Sequence, residues 1–204
     1  LVIEFPIGFM LSRMAPAHQK MMQMLIMLPM WMNFLLRTYS WVFLLERNGF
    51  FNTLLETIGL PKLDIIDTPG AVVLGMVYNF LPFMVLPIFS VIEKLDHRLI
   101  EAAQDLGANS TQVFRRVIFP LSLPGVLSGV TMVFIPSVST FVISRLLGGG
   151  KSLLLGDLIE MQFLGSAYNP HLGSAISLVM MVIVLVSMGI MNRFGEGEGE
   201  AVVL

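Results

Sequence analysis

The chain has 204 residues, 55% hydrophobic and only 13% charged, about half the ~25% usual for soluble domains. Its mean hydropathy is +0.82. A formal net charge of −2 supplies no basic field for nucleic acid, and the absence of cysteine excludes thiol chemistry and cysteine-based metal sites.

The apolar residues are gathered into runs of membrane-spanning length rather than scattered in amphipathic patterns. A span needs roughly 20 predominantly apolar residues to cross ~30 Å of hydrocarbon. In chain order, the first run, Leu1 to Met14, is too short and lacks the features of a signal peptide. It reads as the second half of a span whose first half lies upstream. Met21 to Leu45 is long enough and carries one charge, Arg37, and one interior proline, Pro29. Ala71 to Ile92 is charge-free and interrupted by Pro82 and Pro87. Val117 to Leu147 carries Arg145 near its end, with Pro120, Pro124 and Pro136 along it. Leu172 to Met191 is charge-free, and the glycine- and glutamate-rich tail over 193–204 has no apolar periodicity and is expected to be disordered. The fold class is therefore an all-α membrane protein, a polytopic helical bundle with about five spans here, the first truncated.

Positive charge stays cytoplasmic. One side collects Arg13, Lys20, Lys94, Arg98, Arg115, Arg116 and Arg193; the other collects Arg47, Lys62, Lys151 and Arg145. The loop over 93–120 is thus expected in the cytoplasm, and the connections over 46–70 and 148–171 outside. Interior prolines remove backbone hydrogen bonds and kink helices, a cost tolerated in lipid where neighbours or a wet cavity satisfy the freed carbonyls. Such discontinuous spans suit a transporter better than an anchor.

Between two of these apolar runs lies EAAQDLGANSTQVFRRVIFPLSLPG, Glu101 to Gly125. Leu95, Leu99, Ala102, Ala103 and Leu106 recur at spacings of three and four, predicting a short amphipathic helix over Ile92 to Leu106. Gly107 can close it in a left-handed conformation, and Asn109 with Gln112 forms a capping box that starts the next helix. A helix lying flat on lipid would carry a basic polar face. This one mixes Glu93, Asp96, Glu101 and Asp105 with Lys94 and Arg98, so it suits docking into a groove of another protein.

Glu101-Ala102-Ala103, Gly107 after three intervening residues, then Val117 and Pro120 resemble the EAA loop of ABC-importer permeases, with Phe119 where that family has Leu. The segments LPMWMNFLLRTYSW (28–41), LPFMVLPIFSVIEKLDHRLIEAAQDLGA (81–108) and LLGGGKSLLLGDLIEMQF (146–163) resemble the spermidine/putrescine type within it. The resemblance covers all but the acidic tail. It implies an ABC-importer permease fold with six spans when intact, about 80 residues preceding Leu1, and a transmembrane domain over 1–192 that includes the loop 93–120. It implies a bacterial inner-membrane subunit working with ABC ATPase subunits, a second permease subunit and an extracytoplasmic solute-binding protein. Glu101, Ala102, Ala103, Asp105, Leu106 and Gly107 would form the contact with the ATPase. A secondary transporter or channel without an ATPase is the alternative, and an inert membrane scaffold a third.

Other signals are weaker. GGGKS at 148–152 fails as a phosphate loop, because Arg145 stands where the first glycine is required and a spanning helix precedes it. His18, His97 and His171 lack metal-ligand spacing, so neither metal nor cofactor is expected, and no nucleophile–base arrangement makes the chain an enzyme. Sixteen methionines suggest adaptable packing. Trp41 fits an interfacial belt and Trp31 a deeper position. The candidate pathway residues are Glu4, Trp31, Asn33, Arg37, Tyr39 and Tyr78, with Asp157 and Glu160 on the outer side, where acids would draw a cation. Glu4 and Arg37 come to similar depths, roughly 13 and 12 Å from their span ends at 1.5 Å per residue, and could pair.

Overall fold

Helix signals dominate the sequence, and the computed structural model, which describes residues 1–151, 153–165 and 168–196, contains no strand among them. The helices are α1 (Glu4–Ser12), α2 (Pro16–Met27), α3 (Phe34–Leu45), α4 (Phe50–Thr57), α5 (Pro69–Glu93), α6 (His97–Asp105), α7 (Ser110–Val113), α8 (Phe119–Ser139), α9 (Val142–Leu147), α10 (Leu155–Leu164) and α11 (Pro170–Glu196). A π-turn over Phe114–Ile118 joins α7 to α8, so Ser110–Ser139 is one continuous 30-residue helix. That helix, the 25 residues of Pro69–Glu93 and the 22 residues of Pro170–Met191 are long and apolar enough to cross a bilayer. At 1.5 Å per residue each exceeds ~30 Å.

The prolines act unequally. Pro82 and Pro87 were expected to interrupt their run, yet α5 continues through both. Each forfeits one intrahelical hydrogen bond, but Met84, Val85, Ile88 and Phe89 around them are all buried, and that packing holds the helix together. Pro29 does break its run. α2 stops at Met27, Leu28–Trp31 forms a 3₁₀ turn, and α3 begins after Asn33. Asn33 caps α3 by accepting from the Leu35 N–H at 2.9 Å. The Met21–Leu45 run is therefore divided by that turn between the end of α2 and the whole of α3. Likewise α8 ends at Ser139, and Thr140 and Phe141 separate it from α9 within the expected Val117–Leu147 span.

Two compact units emerge. The first comprises Leu1–Ile26, Leu81–Phe134 and the stretch from Val186. Its core is Phe5, Met84, Ile88, Ile92, Val113, Ile118 and Val126. Phe114 in the π-turn packs edge-on against Phe5 and Phe9, with ring centroids at 5.8 and 5.3 Å. Gly125 of α8 lies so close to α5 that a Cβ there would stand 2.8 Å from the Pro87 carbonyl oxygen, the close approach small residues permit between membrane helices. A second cluster joins Leu11 to Val85 and Phe89.

The second unit comprises Met27–Phe80 and Ile135–Leu185. Ile143 and Leu147 of α9 are fully buried, and Trp41 packs on Tyr78 at 5.1 Å and stacks near Phe51 at 6.4 Å. Trp41 thus contributes to the packing of this unit. Asn52 closes the loop after α4, with Nδ2 donating to the Leu63 carbonyl at 2.9 Å and Oδ1 accepting from the Leu63 N–H at 2.8 Å. At the C-terminus, α11 runs to Glu196, so helix occupies the first four positions assigned to a disordered tail. Residues 197–204 of that tail lie outside the described residues.

Candidate functional site

The polar loop belongs to the first unit. Its helix begins later than the spacing predicts: the expectation was Ile92, and α6 starts at His97. Asp96 is the reason, since its Oδ1 accepts from the Arg98 N–H at 2.9 Å and caps the helix there. The far end closes as expected. Gly107 sits at φ +82°, its N–H donates to the Gln104 carbonyl at 2.8 Å, and the Ala108 N–H reaches the Ala103 carbonyl at 3.0 Å. These two bonds make a Schellman motif, which satisfies the last carbonyls of the helix. Asn109 and Gln112 then form the predicted capping box, with both reciprocal bonds at 2.9 Å.

The apolar face of α6 is divided. Leu95, Ile100 and Ala103 pack against the unit's own core. Leu99, Ala102 and Leu106 are exposed at i, i+3 and i+7, and Leu106 is 90% accessible. Glu101, Asp105 and Gly107 are exposed beside them. Of the six residues predicted for partner contact, Ala103 is the half-buried one, and it anchors the helix.

The remaining candidates disperse. Glu4, in the first unit, is buried on α1. The other seven belong to the second unit. Arg37 is 8% exposed, donates from Nη1 to the Pro29 carbonyl at 2.8 Å, and lies 5.9 Å over the Phe34 ring. Its charge thus goes to a backbone carbonyl at the proline break, a carbonyl that also accepts from the Met32 N–H at 3.2 Å. Its Nε is buried without a partner. Trp31 is 80% exposed in the 3₁₀ turn, Tyr39 is exposed on α3, and Asn33 is spent on its cap. Tyr78 is half-buried against Trp41.

Asp157 is not the solvent-facing loop acid that the sequence suggests. It is buried at the first turn of α10, where Oδ2 accepts from the Ser144 hydroxyl at 2.6 Å and the Leu154 N–H at 2.8 Å. Ser144 Oγ also lies 2.8 Å from the Phe141 carbonyl. With one hydrogen to give, the hydroxyl chooses between them, and the carboxylate is the stronger acceptor. Glu160 pairs with Arg145 at 2.6 Å. The two acids hold α10 to α9.

Sequence reasoning passed over Asn79, 2% exposed on α5, whose Nδ2 donates to the Gly75 carbonyl at 2.8 Å while Oδ1 has no partner. An amide within a charge-free apolar run was a legible signal, because polar groups inside a membrane are costly. Thr38, Ser144 and Gln162 are also buried. The GGGKS stretch follows helix α9 as a turn, with Gly149 and Gly150 at positive φ; its Ser152 lies outside the described residues. Among the described residues no group of three His, Asp or Glu side chains could hold a metal.

Comparison with known proteins accounts for this architecture. The chain is 44% identical over 90% of its length to the spermidine/putrescine transport system permease protein PotB of Haemophilus influenzae. It is 39% identical over 94% of its length to the PotB protein of Escherichia coli. It spans 64% and 68% of those two relatives, so about a third of each has no counterpart here. In fold, it resembles a bacterial ABC transporter involved in the import of the acidic polysaccharide alginate, at a TM-score of 0.76 and 18% identity over 96% of this chain and 72% of that one. A bacterial alginate ABC transporter in complex with an alginate pentasaccharide-bound periplasmic protein matches at a TM-score of 0.73 and 18% identity, with 98% of this chain and 71% of that one covered. Residues 4–196 match a single family description, and the chain belongs to the binding-protein-dependent transport system inner membrane components.

Proposed function

We propose that this chain is the permease subunit of an ATP-driven importer of polyamines, and that α6 carries force from the ATPase. The observation that carries the coupling is the exposed Leu99–Ala102–Leu106 face on a helix closed at both ends, by Asp96 and by the Gly107 turn. An apolar stripe at i, i+3 and i+7 on a rigid short helix is the geometry of helix-in-groove docking. The polyamine assignment is supported by the identity to spermidine/putrescine permeases. The partners on this reading are two ATPase subunits, a second permease subunit and an extracytoplasmic binding protein. Hydrolysis belongs to the ATPase subunits, and this chain forms half of the pathway.

Arg37, buried at the Pro29 break, is assigned a framework role, since a fixed cation would repel a polycation from a narrow path. Asp157 and Glu160 are framework residues for the same unit. Tyr39, Tyr78 and Trp31, which keep exposed surface, remain the aromatic groups suited to line a route. The test is ATP-dependent uptake of spermidine and putrescine by the full-length subunit reconstituted with its partners, with sulfate and small sugars as competitors. Uptake without ATP, or competition by sulfate in place of polyamine, overturns the proposal.

A further inference from the structure

A concavity of about 490 Å³ in the first unit is lined by Asn109, Thr111, Gln112, Arg115 and Arg116. That volume is within the range of small-molecule sites and larger than a single bare ion requires. Its chemistry is one-sided. The two guanidiniums are donors only. The amide oxygens of Asn109 and Gln112 are committed to the capping box, which leaves their NH₂ groups as the free hydrogen-bonding partners. No acid lines the concavity, and the sequence carries none from Leu106 to Gly156. Among the described residues neither arginine forms an ion pair. Two adjacent positive charges among spare donors, with no internal anion, make a receptor for an oxyanion that can accept several bonds at once, as a phosphate does.

The position selects the source of the phosphate. Arg115 and Arg116 lie in the π-turn, and the exposed apolar side chains Phe119, Leu121 and Leu123 follow on the same continuous helix. Phe119 lies four positions after Arg115, about 6 Å along the axis. The headgroup layer on one side of a bilayer is of that thickness, since ~30 Å of hydrocarbon sits within ~40–45 Å overall. We infer that Asn109, Thr111, Gln112, Arg115 and Arg116 bind the phosphate of an anionic phospholipid where the Ser110–Ser139 helix enters the membrane. The π-turn contributes the arrangement. The Phe119 N–H bonds the Phe114 carbonyl five residues back, and this wider turn carries both exposed arginines while Phe114 packs inward. Packed edge-on against the ring of Phe114, Phe5 and Phe9 keep that turn fixed. The inference requires only that this helix crosses the bilayer and is independent of the coupling proposed for α6.

The experiment uses the full-length permease purified with its partner subunits, in phosphatidylcholine nanodiscs containing a low fraction of labelled phosphatidylglycerol. R115Q/R116Q is compared with the unaltered protein and with R193Q, and ATPase co-purification is scored in the same samples. Two charges at about 1 kcal/mol each predict that phosphatidylglycerol affinity falls about 30-fold in R115Q/R116Q, with R193Q and ATPase retention unchanged. Equal affinity in all three proteins overturns the inference. Loss of lipid together with loss of the ATPase assigns the arginines to the partner protein instead, and displacement of the lipid by millimolar inorganic phosphate assigns a free anion; either overturns the lipid assignment. Where the double variant fails to accumulate, R115Q and R116Q are measured singly. Each is expected to lose several-fold in affinity, and no loss in either overturns the inference.

Discussion

Asp157 illustrates how one buried carboxylate is held by two donors that differ in what they can do without it. If Asp157 becomes Ala, Ser144 can still donate to the Phe141 carbonyl at 2.8 Å, whereas the Leu154 N–H is left with no acceptor. One orphaned buried donor costs about 1–3 kcal/mol, so Asp157→Ala should lower the unfolding midpoint of the detergent-solubilised subunit measurably. Asp157→Asn keeps one oxygen in reach of both donors and should cost under about 1 kcal/mol. The same Asn variant separates framework from substrate roles. With Oδ2 committed to Ser144 and Leu154 inside the fold, the carboxylate is placed to hold α10 rather than to meet a passing polyamine, so half-saturation for spermidine should be unchanged. A rise in that concentration with Asp157→Asn, at unaltered stability, would show that the carboxylate acts on the substrate. Arg145–Glu160 is a smaller matter. Arg145 is 64% exposed, and a pair open to solvent contributes at most about 1 kcal/mol.

At the scale of elements, α6 and its turn were the most legible part of the sequence, because capping chemistry is local. Gly107 at positive φ and the Asn109–Gln112 box are fixed by residues within a few positions of each other. Gly107→Val forces a β-branched residue into the left-handed region at about 1–2 kcal/mol, while Gly107→Asn should be milder. ATPase co-purification should fall in the order Gly, Asn, Val with the binding protein's affinity untouched; equal co-purification in all three counts against coupling through this turn. What the sequence concealed were facts set by packing. Periodicity places Leu95, Leu99, Ala102, Ala103 and Leu106 on one face, but only the neighbours Ile92, Val113 and Ile118 decide that Ala103 turns inward and Leu106 does not. Proline is ambiguous for the same reason. Pro29 ends a helix whose neighbouring side chains are exposed, whereas Pro87 is held inside α5 by the turns on either side. The contact of α8 with α5 gives a test. Gly125→Ala would place a methyl 2.8 Å from the Pro87 oxygen and 3.1 Å from the Ile88 Cα, backbone atoms that cannot rotate away. It should destabilise by about 1–3 kcal/mol. Gly189→Ala in α11 meets nothing within 4 Å and should be neutral or stabilising by up to about 1 kcal/mol. Equal effects at the two sites would mean that the α5–α8 contact relaxes freely.

For the molecule as a whole, exposed apolar surface carries two different meanings, and composition alone cannot separate them. The most apolar stretch of α11 has no residue fully buried within the chain, and Leu178, Val179, Met181, Val182, Leu185 and Val186 are exposed along one broad face, with Met180 and Val184 half-buried on the other. A helix apolar on every side is stable only where its surroundings are apolar too, in hydrocarbon or against another spanning helix. Leu106 is still more exposed, but with Leu99 and Ala102 it makes only a narrow stripe on a helix whose other solvent-facing groups are polar or charged. An arginine placed at the centre of a spanning helix raises the cost of insertion by roughly 2.5–3.5 kcal/mol; the same residue in an aqueous loop costs nothing of that kind. Met181→Arg should therefore shift the full-length protein out of the alkali-resistant membrane fraction and reduce its accumulation. Leu106→Arg should fractionate with the membrane as before, keep its unfolding midpoint, and lose the ATPase on purification. Membrane extraction and ATPase pull-down on the two variants give a crossed result if Leu106 faces a protein groove and Met181 faces the bilayer. Loss of insertion in both would mean that α6 lies on lipid. Retention of the ATPase by Leu106→Arg, with insertion intact, would remove α6 from the force-carrying contact and leave the Arg115–Arg116 site as the loop's main attachment.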